Sequence, residues 1–163
     1  MKNLKLIEFL KKSLNNCYLG DLKKAENIER KGFFEMEFSE DDLNYRDSFI
    51  GFYLSTGSEI IREGDRPIWV RNYRGGLIDK YVGNKEIFTE LEEFLRKCLK
   101  IGLQEDGFTP RGPKELKSGD WLYKCNWQGD FNNFKGRETI KLKEEEIFYH
   151  DFIGGDIIGK DFN

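Results

Sequence analysis

The segment that decides the fold is Gly57–Ile78, which reads GSEIIREGDRPIWVRNYRGGLI. A second segment, Gly136–Ile157, reads GRETIKLKEEEIFYHDFIGGDI and aligns with the first without a gap. Seven of the 22 aligned pairs are identical, whereas ordinary residue usage gives roughly one or two identities by chance. We therefore predict an internal duplication with pseudo-twofold symmetry and a groove where the copies meet. The alternative is two hairpins that converged on similar turn glycines.

An amphipathic helix precedes each copy. Apolar residues recur at helical spacing over residues 3–15 and again after Asn84, which is predicted to be the N-cap of the second helix. Gly102 is predicted to cap the C terminus of that helix. The apolar positions are Leu6, Phe9, Leu10 and Leu14 in the first helix, and Ile87, Leu91, Phe94, Leu95 and Cys98 in the second.

Alternating apolar and polar residues predict two antiparallel meanders. Turn residues at Thr56-Gly57 and at Glu63-Gly64-Asp65 separate the predicted strands of the first meander. We predict an α+β fold in one domain, 1–163, in which two helix-plus-meander copies form a curved antiparallel sheet with both helices packed on one side. Repeat one spans about 3–80 and repeat two about 84–160. The predicted strands are 33–38, 49–54, 59–62, 67–73, 121–127, 131–142 and 147–152.

The composition excludes several classes of protein. Charged residues make up 35% of the chain, but acidic and basic residues nearly cancel and leave a net charge of −3. A general nucleic-acid binder would carry a basic excess, so we expect no general nucleic-acid binding. No apolar run approaches the ~18 residues of a membrane span. The N terminus lacks a signal-peptide pattern. We expect a cytoplasmic protein.

The three cysteines, Cys17, Cys98 and Cys125, are odd in number and widely spaced. This spacing fits neither a disulfide framework nor a zinc site, so we predict reduced cysteines and no metal. The glycine doublets are not followed by the helix start and Lys-Ser/Thr of a phosphate-binding loop. We therefore expect no cofactor.

Two glutamates are candidates for catalysis. Glu59 and Glu138 occupy equivalent positions of the two copies, and alternation places each on the same strand face as an isoleucine. A carboxylate on an apolar face costs free energy unless it is paired, and its pKa rises. The two could approach each other as a general acid/base pair or a metal site. Alternatively, each pairs with a nearby arginine or lysine.

The last strand of each copy carries an aromatic–basic–aromatic set. It is Trp69, Arg71 and Tyr73 in the first copy, and Phe148, His150 and Phe152 in the second. Rings that flank a cation suit a planar or anionic ligand. The alternative is an exposed sheet face where the rings pack across strands. The predicted ligand-binding residues are Trp69, Arg71, Tyr73, Arg111, Trp121 and Tyr123.

His150 is the single histidine and stands next to Asp151. A histidine beside a carboxylate can act as a base, although a structural role is the alternative. The loop Pro110-Arg111-Gly112-Pro113 is stiffened by two prolines. We expect it to present Arg111 at the mouth of the groove.

A set of motifs in residues 45–158 resembles an uncharacterised bacterial domain family. Members of that family occur alone or behind an Xre-type helix-turn-helix, and no established activity carries over. The resemblance implies a bacterial, cytoplasmic setting and a sensing or accessory role. The motifs are Gly64–Gly75 (GDRPIWVRNYRG), Pro110–Pro113 (PRGP), Tyr123–Cys125 (YKC), Gly129–Phe131 (GDF) and the spaced set Phe134, Gly136, Glu138 and Ile140.

Three functions are compatible with these features. The first is a non-catalytic module that binds a planar or anionic small molecule in the groove between the copies. The second is a hydrolytic enzyme that uses Glu59 with Glu138, or His150 with Asp151. The third is a protein-interaction module whose aromatic sheet face docks a partner or a second copy as a homodimer.

Overall fold

The computed structural model of the protein describes residues 2–20 and 24–160. Within these residues the chain forms two α-helices, eight β-strands and one short 3-10 turn at Asp79–Tyr81. The helices are α1 (Lys2–Asn16) and α2 (Lys85–Gln104). The strands are β1 (Phe34–Glu40), β2 (Leu43–Ile50), β3 (Leu54–Glu63), β4 (Arg66–Leu77), β5 (Glu115–Ser118), β6 (Trp121–Asp130), β7 (Asn133–Leu142) and β8 (Glu145–Asp156).

The eight strands form one curved, open antiparallel sheet in the order β1-β2-β3-β4-β8-β7-β6-β5. Two four-stranded meanders are thus joined along β4 and β8, where Tyr73 lies opposite Phe152. Each meander has a register shift at the same place, after Ile61 in the first and after Ile140 in the second. The predicted α+β fold is confirmed. The matching registers agree with an internal duplication, which remains an interpretation of the sequence.

Both helices pack on one face of the sheet and build the core with it. The apolar stripe of α1 buries Leu6, Phe9 and Leu10, as the helical spacing predicts. Asn84 caps α2 as predicted, because its side chain accepts a hydrogen bond from the Ile87 backbone N–H at 3.1 Å. Among the described residues, no helix is both long and apolar enough to cross a membrane.

The predicted end of α2 was wrong by one turn. The helix continues to Gln104, and Glu105 is its C-cap. Gly102 lies inside the helix, where a Cβ atom would collide with the backbone of Arg111 and Gly112. Because Gly102 has no side chain, the Pro110–Pro113 loop can approach the helix closely. In the sequence, a glycine with this packing role looks the same as a glycine that caps a helix.

The first meander also differs from its prediction. Thr56 and Gly57 lie inside β3, and the turn between β2 and β3 occupies residues 51–53 instead. Gly51 adopts the left-handed conformation that favours glycine, with φ at 84°. Gly57 does not have a positive φ. A glycine is needed at this position because the Tyr73 ring of β4 lies over it and leaves no room for a side chain. The turn at Glu63–Asp65 is confirmed.

Candidate functional site: a cavity beneath the helices

A cavity of about 190 Å³ lies between the two helices and the sheet. Strands β2, β3, β4 and β8 form its floor, and α2 and the chain after α1 form its roof. One part of the wall is aromatic, and the other carries ionisable groups. The aromatic part includes Tyr18, Phe49, Phe52, Phe88 and Phe148, and the ionisable part includes Asp47, Glu59, Arg71, Glu92, Arg96, Arg111 and His150.

Strand alternation places a buried ion pair on the floor of the cavity. Glu59 of β3 lies directly opposite Arg71 of β4, and both side chains point towards the helices. Arg71 donates one hydrogen bond to Glu59 Oε2 and another to the carbonyl oxygen of Pro110. Its Nε is buried without a hydrogen-bond partner among the described residues. Of the three guanidinium nitrogens, Nε is thus the one that makes no hydrogen bond within the described residues.

The equivalent place in the second meander holds a denser network. Glu138 of β7 lies opposite His150 of β8, whose Nδ1 is 3.2 Å from Glu138 Oε1. Arg111 donates to the same oxygen from Nε at 2.8 Å, and its Nη2 lies 2.7 Å from it. Tyr123 donates to Oε2 at 2.7 Å. Burial acts to raise the pKa of Glu138, but the charge of Arg111 and the contacts with His150 outweigh it and hold the pKa at about 2.

Asp47 of β2 is a buried acid of a different kind. It lies opposite Glu59 in the β2–β3 register and accepts a hydrogen bond from the Tyr73 hydroxyl at 3.0 Å. Burial, and then the negative charge of Glu59, raise the pKa of Asp47 from its ordinary value of 3.8 to about 8. At neutral pH Asp47 is therefore mainly a protonated carboxylic acid in the wall of the cavity.

The two halves differ in how they use a buried tyrosine. The Tyr123 hydroxyl accepts from the Gly112 backbone N–H at 2.9 Å while it donates to Glu138. Tyr45 lies opposite Ile61 in the first meander, as Tyr123 lies opposite Ile140 in the second. The Tyr45 hydroxyl is fully buried and has no hydrogen-bond partner among the described residues. The Pro110–Pro113 loop thus donates a backbone N–H to the buried tyrosine only in the second half.

The structure brings together half of the residues that the sequence predicted as a ligand site. Arg71, Tyr73 and Arg111 line the cavity, and His150 lies beside them. The predicted position of Arg111 was wrong, because its side chain is buried against Glu138 and does not stand at an open mouth. The two prolines stiffen a loop that packs into the core.

The other three predicted residues lie elsewhere. Trp69 is fully buried, stacks on Phe131 and Phe134, and donates its indole N–H to the Phe131 carbonyl at 2.9 Å. Trp121 packs against Phe94 of α2. The Tyr123 hydroxyl donates its hydrogen bond to Glu138. None of these three lines the cavity: Trp121 and Tyr123 are on β6, which is outside it, and Trp69 of β4 packs against Phe131 and Phe134 instead.

Both predicted catalytic pairs are corrected by the structure. Glu59 and Glu138 do not partner each other: β4 and β8 lie between their strands, and Arg71 and Arg111 neutralise them separately. His150 and Asp151 are consecutive residues of β8 and so point to opposite faces of the sheet. His150 is buried, whereas Asp151 is exposed and pairs with Arg137 at 3.1 Å.

The aromatic–basic–aromatic sets face the helices, so they are not an exposed docking surface. Trp69, Arg71, Phe148, His150 and Phe152 are all buried. An open groove does exist on the opposite face over the β4–β8 junction, where the sequence predicted one. Alternation gives this groove a different set of side chains, mainly polar and charged ones such as Asn72, Arg74, Asn126, Lys135, Arg137 and Asp151.

The sequence prediction missed Asp47. The pattern that would have revealed this residue spans only five positions. Tyr45, Asp47 and Phe49 alternate on one face of β2, so the aspartate stands between two aromatic residues of the core face. A predicted strand at 49–54 concealed this pattern, because it placed Asp47 before the strand. Tyr18 and Arg96 carried no sequence signal, since a contact between α2 and the end of α1 brings them to the cavity.

A family model described as Domain of unknown function (DUF5680) matches residues 47–157. The chain belongs to this family. The DUF5680 match runs from β2 to the end of β8, so it contains the cavity floor and α2, whereas α1 and Tyr18 lie outside it. No curated protein and no solved structure matches the chain. Across the described residues, no three His, Cys, Asp or Glu side chains are grouped to hold a metal ion.

Proposed function

We propose that the protein is a non-catalytic module that binds a small molecule in the cavity beneath the helices. The carrying observation is that aromatic side chains and hydrogen-bonding groups converge on one internal space of about 190 Å³. Small-molecule sites are typically concave and mostly apolar, with a few polar groups that fix orientation. Here Tyr73, Arg71 and Asp47 supply the polar groups, and Phe49, Phe88 and Phe148 supply apolar wall.

The buried charges support binding rather than hydrolysis. Glu59 and Glu138 are each held by an arginine, so neither is poised to take a proton from a substrate. One donor nitrogen in the cavity wall, the Arg71 Nε, has no hydrogen-bond partner among the described residues. Buried polar groups are usually hydrogen-bonded, and a bound molecule would satisfy groups of this kind.

The wider role that we propose is sensing or an accessory function in a bacterial cytoplasm, as the motif resemblance implies. A protein-interaction role and a homodimer remain alternatives, but the aromatic faces of β4 and β8 are buried beneath the helices and cannot serve them. Solution mass measured across a range of concentrations would reveal self-association.

A cavity-filling variant tests the proposal. Ser55 lines the cavity on β3, and Ser58 lies on the opposite face of the same strand. Small aromatic probes should raise the melting temperature of the natural protein, since ligand at 100 times Kd adds about 2.7 kcal/mol of stability. Ser55→Phe should abolish that rise, whereas Ser58→Phe should retain it. If Ser55→Phe folds and keeps the full response, the cavity is not the binding site.

A further inference from the structure

We propose that the ligand of this cavity is an organic monocation, with an ammonium or guanidinium group seated against Asp47 and an apolar body against the aromatic wall. This inference rests on the proposed function, because it names the chemical class of ligand for the same cavity. It replaces the planar or anionic ligand that the sequence alone suggested.

The first argument is the balance of charge. Among the described residues, the cavity and its directly bonded neighbours contain three arginines, Arg71, Arg96 and Arg111. Four carboxyl groups accompany them: Asp47, Glu59 and Glu92 line the cavity, and Glu138 is bonded to Arg111. The three arginines match Glu59, Glu92 and Glu138 in number, and Asp47 is the fourth carboxyl group, which holds its proton at neutral pH. A single positive charge on a ligand would balance the negative charge that Asp47 gains when it releases this proton.

The second argument is which carboxyl group is left over. Arg71 neutralises Glu59, and Arg111 neutralises Glu138. Glu92 stands one helical turn before Arg96 on α2, accepts a hydrogen bond from the Tyr18 hydroxyl at 3.1 Å and is only partly buried. Asp47 has the Tyr73 hydroxyl as its hydrogen-bond donor and no salt bridge among the described residues. Within the described part of the chain, Asp47 is therefore the buried acid without a salt bridge, on the floor of the cavity.

The third argument comes from the second meander. There the guanidinium of Arg111 enters from a loop, sits on Glu138, and lies 6.0 Å from the centre of the Tyr73 ring. The protein thus already places one cation between a carboxylate and an aromatic ring in this interior. In the first meander Asp47 lies among aromatic rings with the Tyr73 hydroxyl as its donor and without a salt bridge among the described residues, and the cavity lies beside it.

The walls of the cavity suit an organic cation. Cations bind over the faces of aromatic rings, and the attraction is strongest where water is excluded. Tyr18, Phe49, Phe88 and Phe148 line the cavity together with Asp47. A carboxylate that lies among aromatic rings favours an ammonium ion over a neutral molecule of the same shape. A carboxylate ligand would instead be repelled by the negative charge of Glu59.

Three probes of matched shape test the inference: 2-phenylethylammonium, 2-phenylethanol and phenylacetate. Isothermal titration calorimetry on the whole chain should show the ammonium probe binding most tightly. Asp47→Asn keeps the shape and the acceptor for Tyr73, and it should weaken the ammonium probe on the order of 10²-fold, as the loss of a buried charge partner does. The affinity for 2-phenylethanol should change by less than about threefold.

Asp151→Asn is the matched control, because it removes the same charge from the opposite face of the sheet, where Asp151 is exposed. It should leave the affinity of all three probes unchanged. If phenylacetate or 2-phenylethanol binds the natural protein as tightly as the ammonium probe, the inference is wrong while the cavity remains a binding site. If none of the three binds at millimolar concentration, the proposed function is contradicted and the inference falls with it.

A second measurement needs no variant. The charged or titratable groups around Asp47 are Glu59 from β3, Arg71 and Tyr73 from β4, Arg111 from its loop and Tyr45 from β2, with His150, Glu92 and Arg96 around the same cavity. An ammonium group seated on Asp47 should expel the proton that this acid holds at neutral pH. Calorimetry at pH 7 in two buffers of different ionisation enthalpy should report release of close to one proton with the ammonium probe and none with 2-phenylethanol. Equal proton release for both probes would overturn the assignment to Asp47.

Discussion

Tyr73 and Phe152 face each other at the centre of the β4–β8 ladder, and each ring lies over a glycine of the strand on its outer side. The glycine beneath Tyr73 is Gly57 of β3, and the one beneath Phe152 is Gly136 of β7. The two copies therefore have the same packing arrangement at their junction. In each, the aromatic ring on the inner strand fits because the facing residue of the next strand is a glycine, which has no side chain.

Gly57→Ala and Gly136→Ala should each destabilise the protein by about 1–3 kcal/mol, the usual cost of overpacking. The new Cβ atom at Gly136 would come within 2.7 Å of the Phe152 ring, and the one at Gly57 would meet the Tyr73 ring. Urea unfolding would measure the loss. Ser58→Ala, on the opposite face of β3, is the control and should change stability by less than about 0.5 kcal/mol. A loss of similar size at Ser58 would show that the rings are not the cause.

The buried pair of Arg111 and Glu138 should be far more sensitive than a surface pair. Arg111→Gln leaves the Glu138 charge buried with one cation fewer and should cost about 3–5 kcal/mol. Arg137→Gln breaks the exposed pair with Asp151 and should cost less than about 1 kcal/mol. Chemical denaturation of both variants gives the comparison. Equal costs would mean that Arg111 is not the principal partner of Glu138.

The stability of the protein should fall as the pH rises from about 4 to about 8. Asp47 ionises near pH 3.8 in the unfolded chain and near pH 8 in the fold, so the folded state holds one more proton between these values. Each pH unit in this window should remove up to about 1.4 kcal/mol from the free energy of unfolding. Asp47→Asn should flatten this slope, as judged by urea unfolding at several pH values. If the variant keeps the same slope, the pH dependence of stability arises from a group other than Asp47.

Trp69 should contribute to stability rather than to recognition. Trp69→Phe removes the indole hydrogen bond to Phe131 and part of the ring stack, and should cost about 2–4 kcal/mol. The folded variant should bind aromatic probes with unchanged affinity, because Trp69 does not line the cavity. Tyr73→Phe, which removes the hydroxyl from Asp47, provides the contrast and should alter that affinity. If Trp69→Phe folds stably but binds the probes weakly, Trp69 contributes to ligand binding and this prediction is wrong.

The fold was predictable because its signals are local. Helical spacing located α1 and α2, the Asn84 side chain marked the start of α2, and alternation in residues 136–142 assigned each side chain of β7 to its face. Gly57 misled the prediction, since a glycine that makes room for a ring looks like a turn glycine in sequence. The open alternative for Glu59 and Glu138, in which each pairs with its own cation, proved right.

The site was only partly predictable because it is assembled by contacts between distant segments. Arg71, Tyr73 and Arg111 stood out in sequence, and all three line the cavity. Asp47 depended on a strand boundary that was misplaced by several residues. The direction of the aromatic sets could not be decided from alternation alone, because alternation separates two faces without stating which one the helices cover.

The single seam between β4 and β8 has a consequence for how the chain reaches its native state. Every other ladder in the described sheet joins strands that follow each other in the chain, and such hairpins close quickly. The seam instead brings together residues as distant as Tyr73 and Phe152, so its closure carries the largest entropy cost. We expect the two meanders to form early and their docking to limit the folding rate. The cavity, whose floor crosses this seam, would then be among the last features to appear.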